Sequence, residues 1–116
     1  MAYDSQLADR VREYLSDVAG IRITEKAMFS GLAFLVNGKM CVNISRDNLM
    51  CRFDPARFEE VAERHGYLPM LMKGKEMKGY CFVEPAGFRR PGDFRWWMEL
   101  CLDFNRHAKA SKKKKP

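Results

Sequence analysis

The chain has no CxxC pair, no Gly-rich phosphate loop, no internal repeat and only two histidines. Each of these absences closes off a chemistry. Four cysteines (Cys41, Cys51, Cys81, Cys101) stand far apart, each inside an apolar stretch and none beside a histidine. That pattern argues against a zinc site and for buried free thiols acting as small hydrophobes. Gly74, Gly79 and Gly87 form neither a GxGxxG nor a P-loop pattern, so no phosphate cradle is expected. His65 and His107 fall near the ends of expected helices, where the helix dipole favours a positive side chain; a structural role follows. No apolar run approaches the ~20 residues that cross a bilayer. The start Met1-Ala-Tyr-Asp-Ser-Gln is unlike a signal peptide, so a cytoplasmic location without membrane partners is expected.

Excess charge is also missing from the body of the chain. The formal net charge is +6, but Lys109 and Lys112 to Lys115 contribute five positive charges within the last eight residues. Without them sixteen basic side chains face fifteen acidic ones. The basicity belongs to the segment 109–116, which has nothing to bury and is expected to be disordered. Residues 1–108 read as a single domain, long enough for one packed core.

Within that domain the most informative stretch is Lys26–Ile44. Two runs of β-formers flank Asn37-Gly38, a pair suited to a type I′ turn because both central residues must take positive φ. A two-residue loop sets Val36 against Lys39, Leu35 against Met40, Phe34 against Cys41 and Ala33 against Val42. One face then carries Ala33, Leu35, Met40, Val42 and Ile44; the other carries Leu32, Phe34, Val36, Lys39, Cys41 and Asn43. Leu49, Cys51 and Phe53 extend the first face if Ile44 pairs with Leu49, and helices should cover it. Leu32, Phe34, Val36 and Met50 then remain as an apolar patch on the second face, a candidate surface for self-association or a protein partner.

The flanking segments supply the remaining elements. Asp4 or Ser5 can cap a helix whose apolar stripe is Leu7, Val11, Tyr14, Leu15 and Val18. Ile21–Phe29 reads as a strand, turned by Ser30-Gly31. Asp54-Pro55 starts a helix with Phe58, Val61, Ala62 and His65 inward, ended by Gly66. Tyr67–Met72 is apolar but broken by Pro69, and Lys73–Gly79 reads as a flexible basic loop. Tyr80–Val83 is a strand. Asp93 can cap a long helix over Phe94–Ala108 with Phe94, Trp97, Cys101 and Phe104 inward. Trp96, about 100° around that helix from Trp97, is a candidate for the edge of a partner surface.

Several stretches then acquire a joint meaning. Lys26-Ala-Met-Phe-Ser-Gly-Leu-Ala-Phe34, Asn37-Gly-Lys-Met-Cys41, Asn48-Leu-Met-Cys-Arg52, Met77-Lys-Gly-Tyr-Cys-Phe-Val83 and Trp97-Met-Glu-Leu-Cys-Leu-Asp-Phe-Asn-Arg106 resemble, in order and spacing, the N-terminal domain of the TfoX/Sxy family of competence regulators. The resemblance implies an α+β fold, with an antiparallel sheet of about five strands and three helices in the order α-β-β-β-(β)-α-β-α. The residue reading reaches that order independently. Ser30 stands where the family usually has Gly. The regulators also carry a second, C-terminal domain that is not matched in this sequence.

The family supplies no catalytic residues. The chain itself offers only Glu25 and Glu84 as proton-transfer groups, with nothing to bring them together. The expectation is therefore a non-enzymatic domain without cofactor or metal, linked to transcriptional regulation and acting through a protein partner or as a homodimer. The alternative is an accessory protein that holds nucleic acid without reading sequence, through Lys73, Lys75, Lys78 and the tail residues Lys112, Lys113, Lys114 and Lys115.

Overall fold

The turn at Asn37-Gly38 forms as its residue types require, with φ of 54° and 82°. It joins β2 (Gly31–Val36) to β3 (Lys39–Ser45) in a computed structural model that describes residues 3–28 and 31–108. Val36 pairs with Lys39 and Leu35 with Met40, as a two-residue loop dictates. The register then slips: Phe34 faces Val42, Ala33 faces Asn43 and Leu32 faces Ile44, leaving Cys41 as the extra residue of a β-bulge.

That one residue changes the assignment of the faces. Beyond a bulge every side chain of the partner strand meets the opposite set, so β2 turns over relative to the unbulged pairing. Leu32, Phe34 and Val36 enter the core beside Cys41, Val42 and Ile44, and Phe34 is fully buried. The expectation that these three residues form an exposed patch is therefore corrected. Ala33, Leu35 and Met40 move to the other face, joined there by Asn43 and Met50. Ala33 and Met50 are buried yet stand outside the core cluster.

Among the described residues, six strands make one antiparallel sheet in the order β1-β2-β3-β4-β6-β5. β1 is Ile23–Met28 and β4 is Asn48–Arg52, with Ile44 against Leu49 as expected. The sixth strand comes from the segment expected to be an interrupted apolar run and a loop. β5 (Tyr67–Met72) and β6 (Lys75–Val83) form a second hairpin about Lys73-Gly74, whose φ values are 54° and 80°. Pro69 is tolerated because β5 is an edge strand, where a missing N–H breaks no central ladder. Gly79, with φ 95°, sits inside β6, where its carbonyl accepts the Phe53 N–H at 2.8 Å.

Among the described residues, three α-helices complete the fold. α1 (Ser5–Ser16) starts at Asp4, whose carboxylate accepts the Gln6 and Leu7 N–H groups at 2.9 and 3.3 Å. Asp54 caps a 3-10 turn, Pro55–Arg57, that leads into α2 (Phe58–Ala62). α3 (Pro91–Asn105) begins before the expected cap, because Pro91 fits the first helical position and Arg90 supplies the extended residue ahead of it. Asp93 lies in its first turn and bonds Arg64 at 3.6 Å. His65 is exposed rather than inward.

The helix residues that build the core include Leu7, Ala8, Val11 and Leu15 of α1, Val61 of α2, and Phe94, Trp97, Met98, Leu100, Cys101 and Leu102 of α3. All of them join the Phe34 side of the sheet. Trp97 is fully buried, with its indole N–H donated to the Gly87 carbonyl at 3.1 Å. Arg12 of α1 ties this layer to β1 by forking onto Glu25, with Nη2 to Oε1 at 2.8 Å. The hydrogen bond from Arg12 holds the Glu25 carboxyl below its ordinary value near 4.5. The pair's contribution to stability is therefore full above that ordinary value, and is lost as pH falls through the lowered one. Glu25→Gln is expected to lower the urea midpoint at neutral pH, where the pair is intact, and to converge with the parent as pH falls below about 4.5, measured as urea midpoints against pH.

Candidate functional site

Strand pleating sends alternate side chains to opposite faces, and helices cover one of them. The second face is built from a row that crosses the four middle strands. Ala33 pairs with Asn43, Asn43 with Met50 and Met50 with Phe82. Leu35 and Met40 pair on one side of that row, and Leu68 extends it onto β5 opposite Phe82. Leu35, Met40, Phe82 and Leu68 are each part-exposed. From β1 to the Tyr80–Val83 part of β6, the pleat brings Lys26 and Arg52 to this face and no carboxylate. The Arg52 guanidinium turns to the sheet's end, where it donates to the Met40 carbonyl at 3.4 Å and lies 5.3 Å from the Phe104 ring.

Asn43 is the anomaly of the face. It is 2% exposed, and its Oδ1 and Nδ2, both enclosed by the chain's own atoms, have no hydrogen-bond partner among the described residues. A buried amide without partners costs about 1–3 kcal/mol. Native structures rarely keep such a group unless water, an ion or a partner satisfies it. The other buried polar side chain, Asn105, donates to the Val36 and Lys39 carbonyls at 3.4 Å and is accounted for.

The residues singled out from the sequence do not all meet. Met50 belongs to the bare face. Leu32, Phe34 and Val36 lie in the core behind it. Trp96 is on the helix side, half-buried edge-on against Trp97 and stacked under Arg64 at 3.9 Å, with Arg57 at 5.7 Å. Lys73 lies in a hairpin turn, Lys75 opens β6, and Lys78 sits over the Phe58 ring at 5.4 Å. Lys112, Lys113, Lys114 and Lys115 lie outside the described residues, as do Ser30 and the whole segment 109–116. Leu35 and Met40 were missed, because their only signal is the bulge, which no residue type at Cys41 announces. Asn43 was placed on this face but not singled out, and Phe82 joins it through its pairing with Met50.

The acid–base candidates stay apart. Glu25 is held by Arg12, and Glu84 is exposed beyond the end of β6. The cysteines, by contrast, converge. Cys51 and Cys81 face each other across β4 and β6, and Cys101 of α3 closes on them from above. Hydrogen bonds from Cys101 and Cys81, followed by burial, push the Cys51 thiol well up, and burial does the same for Cys41. Cys41 and Cys51 held protonated are poor nucleophiles, and all four buried thiols pack as part of the core. Among the described residues no group of three or more His, Cys, Asp or Glu side chains is placed to hold a metal ion, and no helix is long and apolar enough to cross a membrane.

The geometry defines an α+β domain whose antiparallel sheet is covered by helices on one side and apolar on the other. The sequence model of the TfoX N-terminal domain matches residues 13–105, and the chain belongs to that family. The comparison with curated proteins returns no match, and neither does the comparison with solved structures.

Proposed function

We propose that the chain is a non-enzymatic interaction domain that acts in the cytoplasm and takes part in transcriptional regulation of the competence type. It works by docking the Leu35–Met40–Phe82–Leu68 face onto a protein surface. The observation that carries this reading is the set of part-exposed apolar side chains on the side of the sheet away from the helices. Apolar side chains left part-exposed on a sheet face describe half of an interface. Membership of the TfoX N-terminal domain family supports the regulatory part of the reading.

Leu35→Glu tests it, because Leu35 is part-exposed on this face and makes no core contact. The variant is expected to melt within about 1 kcal/mol of the parent. In a deletion strain it is expected to leave regulated transcripts at the deletion level, where the parent gene restores them. A folded Leu35→Glu protein that restores transcription fully would refute the docking role of this face.

A further inference from the structure

We infer that the tip of the β5–β6 hairpin is a reversible contact for an anionic lipid surface. It inserts end-on, so that Leu71 and Met72 enter the headgroup layer while the neighbouring lysines meet lipid phosphate. A different part of the molecule from the docking face carries this reading, on three observations.

The first is exposure. Among the described residues the exposed large hydrophobic side chains are Leu71, at 61%, and Met72, at 50%. They are neighbours at the end of β5, immediately before the Lys73-Gly74 turn. Single apolar side chains on a surface need no explanation, but a contiguous pair at a turn marks a place of contact.

The second is shape. β4 pairs with β6 only over Tyr80–Val83, whereas Lys75 and Glu76 pair with Met72 and Leu71 of β5 alone. The end of the hairpin is thus a two-stranded ribbon beyond the sheet, held at its base by the Phe53 N–H on the Gly79 carbonyl. Nothing lies within 4 Å of a methyl group built on Gly74 at the turn. Successive side chains of a strand point to opposite faces, so Leu71 and Met72 take opposite sides of the ribbon. A partner laid flat against one side covers one of them. Sinking the end into a fluid apolar layer covers both.

The third is charge. Lys73, Lys75 and Lys78 are exposed around the tip. The one carboxylate among them, Glu76, accepts the Tyr67 hydroxyl at 2.7 Å. Lysine stems lie along apolar surface and carry their ammonium groups to the phosphate plane. The sequence adds a further cationic run, Lys112 to Lys115, and each lysine close to an anionic leaflet strengthens the attraction. Apolar insertion together with such attraction sets the strength of interfacial binding. A nucleic acid would satisfy the lysines, but the ribbon past Pro69 is two residue pairs long, about 7 Å, too short to follow a groove. The expectation of no membrane partner rested on the want of a spanning run, which this contact does not use.

The experiment is co-sedimentation of the full chain with vesicles, either of phosphatidylcholine alone or of phosphatidylcholine and phosphatidylglycerol in equal parts. The parent is expected to partition onto the anionic vesicles, to leave them as salt is raised, and to ignore the zwitterionic ones. The double variant Leu71→Ser/Met72→Ser keeps every charge and is expected to bind about tenfold more weakly. Lys73→Gln/Lys75→Gln is expected to lose several-fold and to depend less on salt. All four side chains are exposed, and circular dichroism confirms that the variants are folded. A parent that leaves anionic vesicles unbound at low salt would overturn the inference. So would a serine double variant that binds as the parent does, since lysines alone would then account for the attraction. A duplex oligonucleotide bound more tightly than the vesicles, with the same loss in the serine variant, would assign the tip to nucleic acid instead.

Discussion

Phe34→Ala is expected to cost about 3–5 kcal/mol, the range for truncating a fully buried phenylalanine. Leu35→Ala, one residue further on, is expected to cost less than about 1 kcal/mol in dilute solution. The contrast follows from the bulge at Cys41. It sends Phe34 in among the helices, where Arg12 of α1 lies 5.9 Å from its ring, and leaves Leu35 on the bare face. An unbulged hairpin would reverse the order, with Leu35 inside and Phe34 outside. Urea unfolding of the two variants separates these cases. Equal costs, or a larger cost at Leu35, would contradict the register described here.

Gly66→Ala is expected to cost about 2–5 kcal/mol, from a left-handed backbone and a collision that cannot relax. Gly66 has φ 91°, and a methyl group built there would lie 2.5 Å from the Cα of Gly87. Both partners are backbone. Gly66 accepts the Glu84 N–H at 2.9 Å, and Gly87 accepts the indole N–H of Trp97, so the contact ties the end of α2 to the start of α3 through β6. Gly38 is the control. Its φ is 82° with nothing within 4 Å of a built methyl, so Gly38→Ala is expected to cost only the conformational part, about 1–2 kcal/mol. If the two substitutions cost the same in urea unfolding, the backbone contact carries no energy.

Elements with a local chemical cause were legible in the sequence. Asp4 and Asp54 announce helix starts by offering carboxylates to free N–H groups, and Asn37-Gly38 announces its turn by tolerating positive φ. The match to the TfoX N-terminal domain was legible too, since its motifs run from Lys26 to Arg106. The β5–β6 hairpin was obscured by Pro69, which excludes a central strand but not an edge one, and by Lys73 taking positive φ without being Asn or Gly. Met50 and Asn43 were placed on the bare face from the sequence, but its β2 side was not legible. It depends on a slip of one residue at Cys41, and in a strand whose alternate positions are apolar on both sides either register buries a credible core. The sequence of β2, Gly-Leu-Ala-Phe-Leu-Val, has no polar residue to mark the outward side. The outward side was set by helices distant in sequence, α1 and α3, closing on Phe34 and Val42 rather than on Leu35 and Met40. Asn43 and Met50 stand on the outward side with or without the bulge, because the slip leaves the pairing of β3 with β4 unchanged.

The central claim is that the helices cover the Phe34 side of the sheet and leave the Leu35–Asn43 side for a partner. Its most direct test is the set of nuclear Overhauser contacts from these two neighbours in the intact protein at low concentration. The Phe34 ring is expected to show cross-peaks to the methyl groups of Val11 and Leu15 in α1, while the Leu35 methyl groups show them only to strand neighbours such as Met40. Cross-peaks from Leu35 to α1 or α3, with none from Phe34, would mean that the sheet buries its other side.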